Sequence, residues 1–185
     1  MRPARPSRPL SCRVLPLVLA AVAGAPMPAA ADDAVGAVPY RLGVSSAYEE
    51  GCFEPCLCPI MMSETLQGTF LLSPPVRDGD TAVHSVLDVA WTYQSGDLVI
   101  AVAGSGTYTR EADGQRLVLD LVAGEGPARH YDSGFVPAPR DLPQIDIAVS
   151  VNGFFCYDTV FVVVALPAGV AVEPSSWGAL KATYR

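Results

Sequence analysis

The sequence predicts an all-β fold: an antiparallel meander of seven or eight strands forming a barrel or sandwich, with a short C-terminal helix or tail. Three observations carry this. Gly and Pro account for 16 and 17 of the 185 residues and fall between apolar segments rather than inside them, the punctuation of short strands and tight turns. Within those segments hydrophobic side chains recur at every second position, the period of a half-buried strand. Asp113-Gly114 and Asn152-Gly153 stand between such segments, and pairs of this type are the strongest short-range hairpin signal.

The elements follow in chain order. Early strands are expected from Tyr40 to Tyr48 and from Leu66 to Leu72. Val83 to Tyr93 places Leu87, Val89, Trp91 and Tyr93 on one face and Asp88, Ala90 and Thr92 on the other. Ser95-Gly96-Asp97 then turns the chain into a strand from Leu98 to Thr109. Gly104 and Gly106 lie two apart on one face of that strand, where missing side chains permit bending or close approach by a ligand or backbone. Leu117, Leu119 and Leu121 continue the alternation after Asp113-Gly114. Arg129 to Phe135 leads into a proline-rich connection, and Ile145, Ile147 and Val149 mark the next strand. The last runs from Cys156 to Leu166. Its Val160 to Leu166 portion is apolar throughout, as in a strand buried on both faces, and seven residues are too few to span a bilayer as a helix.

Residues 1–31 read as an export signal. Arg2, Arg5, Arg8 and Arg13 precede an apolar run from Val14 to Ala25, and Ala29-Ala30-Ala31 supplies small residues for cleavage. The run is too short for a membrane span of about 20 residues. Residues 32–166 then form the β-domain, and residues 167–185 a linker with a short helical tail. Trp177, Leu180 and Tyr184 make an apolar stripe on that tail. Export removes four of twelve basic residues and none of nineteen acidic ones, leaving eight against nineteen and a formal charge of −11. Such a surface disfavours nucleic acid and anionic lipid. Periplasm or extracellular space is the expected location. The arginine, alanine and proline bias points to a bacterial source with a GC-rich genome.

Cys12 lies in the signal, so Cys52, Cys56, Cys58 and Cys156 remain. An even number in an oxidising compartment reads as two disulfides. Cys56 and Cys58 are separated by one residue, which sets their α-carbons near or beyond the bridging limit. Cys156 therefore joins Cys56 or Cys58, and the other joins Cys52. The long bridge closes about 100 residues, worth roughly 4 to 5 kcal/mol in the chain-entropy model. Soft sulfur ligands also suit Cu(I) or zinc, so Cys52, Cys56, Cys58, Met61 and Met62 form an alternative metal set.

Catalytic signals are sparse. His84 and His130 lie in or beside strands. No G-x-S-x-G, H-E-x-x-H, P-loop or G-x-G-x-x-G occurs. Ser105 lacks a strand-to-helix turn, and His130, Asp132 and Ser133 cannot converge along one strand. Asp32-Asp33 and Glu49-Glu50 read as solvated acidic surface. Tyr48-Glu49-Glu50-Gly51-Cys52, continuing to Cys56, Cys58 and Pro59, resembles the cysteine-rich entry motif of uncharacterised exported bacterial families, with a different order of spacings. That resemblance covers about a dozen residues and implies no activity. The Trp177-Gly178…Lys181…Tyr184-Arg185 ending resembles that of other exported bacterial proteins, which implies a terminal tag.

The leading functional expectation is a non-enzymatic exported β-domain, a binding or structural module for a small apolar ligand or a protein partner, with no cofactor. A periplasmic copper protein using the sulfur set is the second, and a hydrolase the third. Intact mass of the natively exported protein tests the thiol chemistry. Cys52, Cys56, Cys58 and Cys156 should take up alkylating reagent only after reduction. Four reactive thiols before reduction, with copper or zinc near one equivalent, would replace the disulfide reading by the metal one.

Overall fold

The computed structural model describes residues 34–56, 58–139 and 143–169. The expected signal segment and the Trp177, Leu180 and Tyr184 stripe lie outside the described residues. Among those described there are twelve strands and no helix: β1 (Val38–Leu42), β2 (Ala47–Cys52), β3 (Met61–Thr65), β4 (Gln67–Leu72), β5 (Val76–Asp78), β6 (Thr81–Ser95), β7 (Leu98–Arg110), β8 (Gly114–Ala123), β9 (Arg129–Asp132), β10 (Val136–Pro137), β11 (Ile145–Ser150) and β12 (Tyr157–Pro167). The count exceeds seven or eight for local reasons. The segment from Tyr40 to Tyr48 breaks at Gly43 into β1 and β2, and β3, β5 and β10 are short strands with little alternation of their own. No helix of the described residues is long and apolar enough to cross a membrane.

All ladders are antiparallel, and neighbours in the sheet run β1-β4-β6-β7-β8-β9-β11-β12, with β1 pairing again to β12 so that the sheet partly closes into a ring. β2 also pairs with β12, and β3 with β2. The chain thus meanders once around the ring, with β1 and β2 sharing one edge of β12 and β3 and β4 following as their partners. Two seams are sparse. β9 meets β11 only at Asp132 and Ser150, and β3 has no ladder to β6 among the described residues.

Side chains fill the interior, as expected for a ring of about eight strands. An aromatic column runs through it: Tyr40 against Phe70 (centroids 5.4 Å), Phe70 against Trp91 (6.2 Å), Trp91 against Phe161 (5.8 Å), and Phe161 against Tyr131 (5.1 Å) and Tyr48 (5.3 Å). Leu66, Leu119, Leu121, Ile145 and Val149 close around it, each essentially inaccessible. Such edge-on and offset contacts add about 0.5–1.5 kcal/mol per pair beyond area burial. One polar group stays unmatched: the Trp91 Nε1–H has no acceptor among the described residues.

The expected face of β6 is corrected by a bulge. Its register against β7 shifts between Val86 and Val89, and Asp88 takes a φ of 50°. The extra residue reverses the alternation, so Ala82 and Val86 point inward before the bulge and Val89 and Trp91 after it, while Leu87 is only half-buried. Period two alone carries Leu87 onto the wrong face because a bulge inserts a residue without altering the hydrophobic pattern nearby.

Gly104 and Gly106 sit opposite this bulge, paired to Val89 and Val86 on one side and to Leu121 and Leu119 on the other. A β-carbon on Gly106 would run into the Val118 carbonyl oxygen, and one on Gly104 into that of Asp120. The close approach allowed by these glycines is thus made by the backbone of β8, and the missing side chains let the sheet curl. At the far end, Gln115 is fully buried. Its Oε1 accepts from the Tyr108 hydroxyl (3.1 Å), and its Nε2 donates to the carbonyls of Asp146 (2.7 Å) and Pro137 (3.3 Å), tying β8 to β10 and β11.

Gly106→Ala should destabilise the domain by about 1–3 kcal/mol or more, because overpacking here meets backbone rather than a flexible side chain. Denaturant midpoints check this. An unchanged midpoint would show that the curl does not need the glycine.

Candidate functional site

The clustered cysteines lie at one end of the ring, which also carries the β6–β7, β8–β9 and β11–β12 connections. Cys52 ends β2 and bridges to Cys58 (Cα–Cα 5.7 Å), and Cys56 bridges to Cys156 (4.8 Å). Backbone bonds fit the two loops together: the Phe53 N–H donates to the Cys156 carbonyl and the Cys52 N–H to that of Ile60, both at 2.9 Å. The β11–β12 turn is built on one buried carboxylate. Asp158 accepts from the N–H groups of Asn152 (3.0 Å), Phe154 (2.8 Å), Thr159 (2.7 Å) and Val151 (3.2 Å). This holds Phe154 and Cys156 at φ of 63° and 55°, values that side-chain-bearing residues rarely adopt. The bridges take up the thiolates of the alternative metal set, leaving the exposed thioethers of Met61 and Met62 on β3. No group of three His, Cys, Asp or Glu side chains is placed to share a metal among the described residues.

The other singled-out residues stay apart. His130 Nδ1 meets Asp120 Oδ1 at 2.9 Å on the exposed face of β8 and β9. Asp132 instead takes the Arg116 guanidinium, whose Nε donates to Oδ1 at 3.0 Å, and the pair holds the Asp132 carboxyl below the usual carboxylate range. The Ser133 hydroxyl is occupied by the backbone of Leu117 and Gly134. Ser105 lies within β7 opposite Asp120. His84 faces the opposite end of the ring, with Nδ1 2.8 Å from the Ser73 carbonyl oxygen. There it lines a cavity of about 470 Å³ with Tyr40, Tyr108, Arg110, Glu111 and Ile145. Asp32 and Asp33 lie outside the described residues.

What the structure does bring together is a polar, aromatic cavity of about 160 Å³ at the disulfide end, lined by Tyr48, Glu50, Tyr93, Arg129, Tyr131 and Thr159 among others. The period of two explains its polarity. Along β2 one face carries Tyr48, Glu50 and Cys52, and along β12 the partner positions are Phe161, Thr159 and Tyr157. On both strands this face thus passes from aromatic in the interior, at Tyr48 and Phe161, to polar towards this end. Glu50 is the centre: the Tyr48 hydroxyl donates to its Oε2, and the Tyr157 hydroxyl to its Oε1 at 2.9 Å. Tyr93 stacks on Tyr48 with ring centroids 4.0 Å apart and planes within 11°. Across the sparse seam Arg129 Nη1 lies 3.5 Å from Thr159 Oγ1.

The electrostatics follow from this packing. Burial first, then the bond to Glu50, raises the Tyr48 phenol well above its ordinary range. Burial also raises Tyr93, although its bond to Tyr48 and the Arg129 charge act the other way. Tyr131 is pushed up to about 12 by burial, with Arg129 opposing and Glu50 reinforcing. Tyr157 is raised chiefly by its bond to Glu50. These phenols act as neutral donors and aromatic walls around one carboxylate. The arrangement can hold a ligand; it presents no activated nucleophile.

Sequence reasoning missed this site. Glu50 read as acidic surface, and Tyr48, Arg129, Tyr131 and Thr159 drew no functional reading. The available signal was weak: Tyr48/Glu50, Arg129/Tyr131 and Tyr157/Thr159 each alternate polar and aromatic groups near strand ends. Set against family models, curated proteins and solved structures, the chain matches none.

The phenol shifts carry a stability consequence. A folded pKa raised above the unfolded value near 10.0 means that the native state retains protons which the unfolded chain has released. This stabilisation is complete below the unfolded pKa and is lost as pH rises towards 12. Phenolate absorbance should therefore show a delayed, cooperative step accompanied by loss of the fold. Titration of every tyrosine near pH 10 with the fold intact would contradict the buried cluster.

Proposed function

We propose that the chain is an exported, disulfide-bonded binding module whose ligand occupies the tyrosine-lined cavity beside Glu50. The observation that carries this is the half-buried Glu50 carboxylate, held by two phenols from different strands in the cavity at the Tyr48 and Tyr131 end of the aromatic column. Burying charge is costly unless it is paired or hydrogen-bonded, as Glu50 is by the two phenols, and convergent polar groups on aromatic walls are the usual make-up of small-molecule sites. Export is supported by the four paired cysteines, since such bridges persist in oxidising compartments. A binding role rather than a bond-breaking one is supported by the imidazoles: His84 and His130 stand away from this cavity, each already bonded to oxygen.

The interior bears on the kind of ligand. With Trp91, Phe161, Leu119 and Leu121 closing the ring, a small apolar guest would displace native packing. The proposal therefore sets the ligand at the mouth.

Backbone resonances of the oxidised protein test this against a panel of small amines, carboxylates and amino acids, with indole and cyclohexanol as apolar probes. At least one probe should shift Tyr93, Ala123 and Tyr131 saturably. Saturable shifts confined to the His84 and Tyr108 end, or none at all, would overturn the assignment.

A further inference from the structure

We infer that the cavity beside Glu50 is built for a small zwitterion, with an ammonium set against Glu50 and the tyrosine rings and a carboxylate set against Arg129. This rests on the reading that the cavity is the ligand site. The first argument is that both charges line one cavity without neutralising each other. The ion pairs among the described residues are Arg116 with Asp132 and His130 with Asp120. Arg129 and Glu50 are not within the 4.0 Å of such a pair, although both line the same 160 Å³. Opposite charges brought to one cavity by β2 and β9 yet held apart leave the span between them to a ligand carrying both signs.

The negative half is prepared for an ammonium. Each Glu50 oxygen accepts one phenolic hydroxyl, and a carboxylate has about four lone-pair sites, so acceptor capacity remains on both oxygens. The two phenols also fix the carboxylate's orientation before any ligand arrives, which reduces the ordering cost of binding. Around it stand the rings of Tyr48, Tyr93 and Tyr131, and an ammonium near such rings gains from their negative faces. The positive half is equally unspent. A guanidinium presents five N–H donors in a planar fork suited to a carboxylate, and Arg129 uses one of them, on Thr159.

Overall charge argues against the simpler ligands. A mature chain of −11 repels free anions at long range, so Arg129 alone would make a poor anion trap. A bare cation would be drawn in but would leave the Arg129 charge beside it. A zwitterion is neutral to the overall field and matched to both local charges. Size sharpens the class, since 160 Å³ lies below the roughly 300–1,000 Å³ of drug-sized pockets. The ligand is therefore on the scale of an amino acid or a methylated glycine.

Calorimetry and backbone resonances of the oxidised full-length mature protein separate the cases with four probes: glycine betaine, glycine, choline (cation only) and acetate (anion only). At least one zwitterion should bind saturably with shifts at Tyr93 and Tyr131, about tenfold or more tighter than choline or acetate. Glu50→Gln and Arg129→Gln should each weaken it about tenfold or more, while His84→Asn at the opposite end leaves it unchanged. Arg129 is exposed, so its variant keeps the test usable if loss of Glu50 impairs folding, which thermal melts would reveal. Choline or acetate binding as tightly as the zwitterions would sink this inference and leave the cavity reading standing, as would silence from all four probes where indole, run alongside them, saturates the cavity residues. No probe shifting the cavity residues would sink both.

Discussion

Closing the ring depends on how strand β12 satisfies its backbone. From Val160 to Ala165 this strand is almost wholly buried, so each N–H and C=O needs a partner. One edge pairs continuously with β11. The other is shared between two strands: β1 ends with Leu42 opposite Ala165, and β2 begins with Ala47 opposite Val162. Val164 falls in the gap. There Gly43 N–H donates to its carbonyl at 2.7 Å, and the buried Ser46 hydroxyl both donates to that carbonyl (3.0 Å) and accepts from the Val164 N–H (3.1 Å). A serine side chain stands in for a missing strand residue. Without it the β1–β2 break would leave a buried amide unpaired, at a cost of about 1–3 kcal/mol.

That break also sets the geometry of the candidate site. Because the chain restarts at Ala47, the inward face of β2 begins with Tyr48, level with Phe161, and reaches Glu50 and Cys52 at the ring's end. The aromatic column and the cavity are therefore continuous: hydrophobic packing fixes Tyr48 and Tyr131, and their outer ends, with Tyr93, form the walls. The sparse β9–β11 seam has a matching effect on the other side. β11 stops at Ser150, so Arg129 at the start of β9, paired to Leu121 of β8 on one side, has no β11 partner on the other and reaches towards Thr159 of β12. The site exists where ladder hydrogen bonding runs out.

The disulfides reinforce the same end. Cys156 follows a turn whose amides converge on Asp158, and its bridge to Cys56 holds the β2–β3 loop over that turn. In the entropic model a loop of about 100 residues is worth roughly 4–5 kcal/mol, comparable to a few well-packed core side chains. The Cys52–Cys58 bridge closes a short local loop, and its role is positional: it fixes the end of β2, two residues beyond Glu50.

Much of the fold was legible in the sequence because period-two alternation and turn pairs are local properties. They sufficed for the all-β class, for strands around Trp91, Leu119, Ile147 and Phe161, and for the bending at Gly104 and Gly106. They failed at Leu87, where a bulge slips the alternation, and at β3, β5 and β10, which have partners but little pattern. Four cysteines and a charged-then-apolar N-terminus sufficed for an expectation of pairing, but not for which sulfur meets which. The candidate site was nearly invisible for a different reason. Glu50 looks like surface until Tyr157, 107 residues away, donates to it, and Arg129 looks like any exposed cation until β9 is seen to face β12. What the sequence by itself determined is the alternation that makes strands and the turns that separate them, since each residue's period and φ preference act locally. Only the tertiary structure decided the ring's closure, the sulfur pairing and the meeting of Glu50, Arg129 and the tyrosines, because these depend on register between strands distant along the chain.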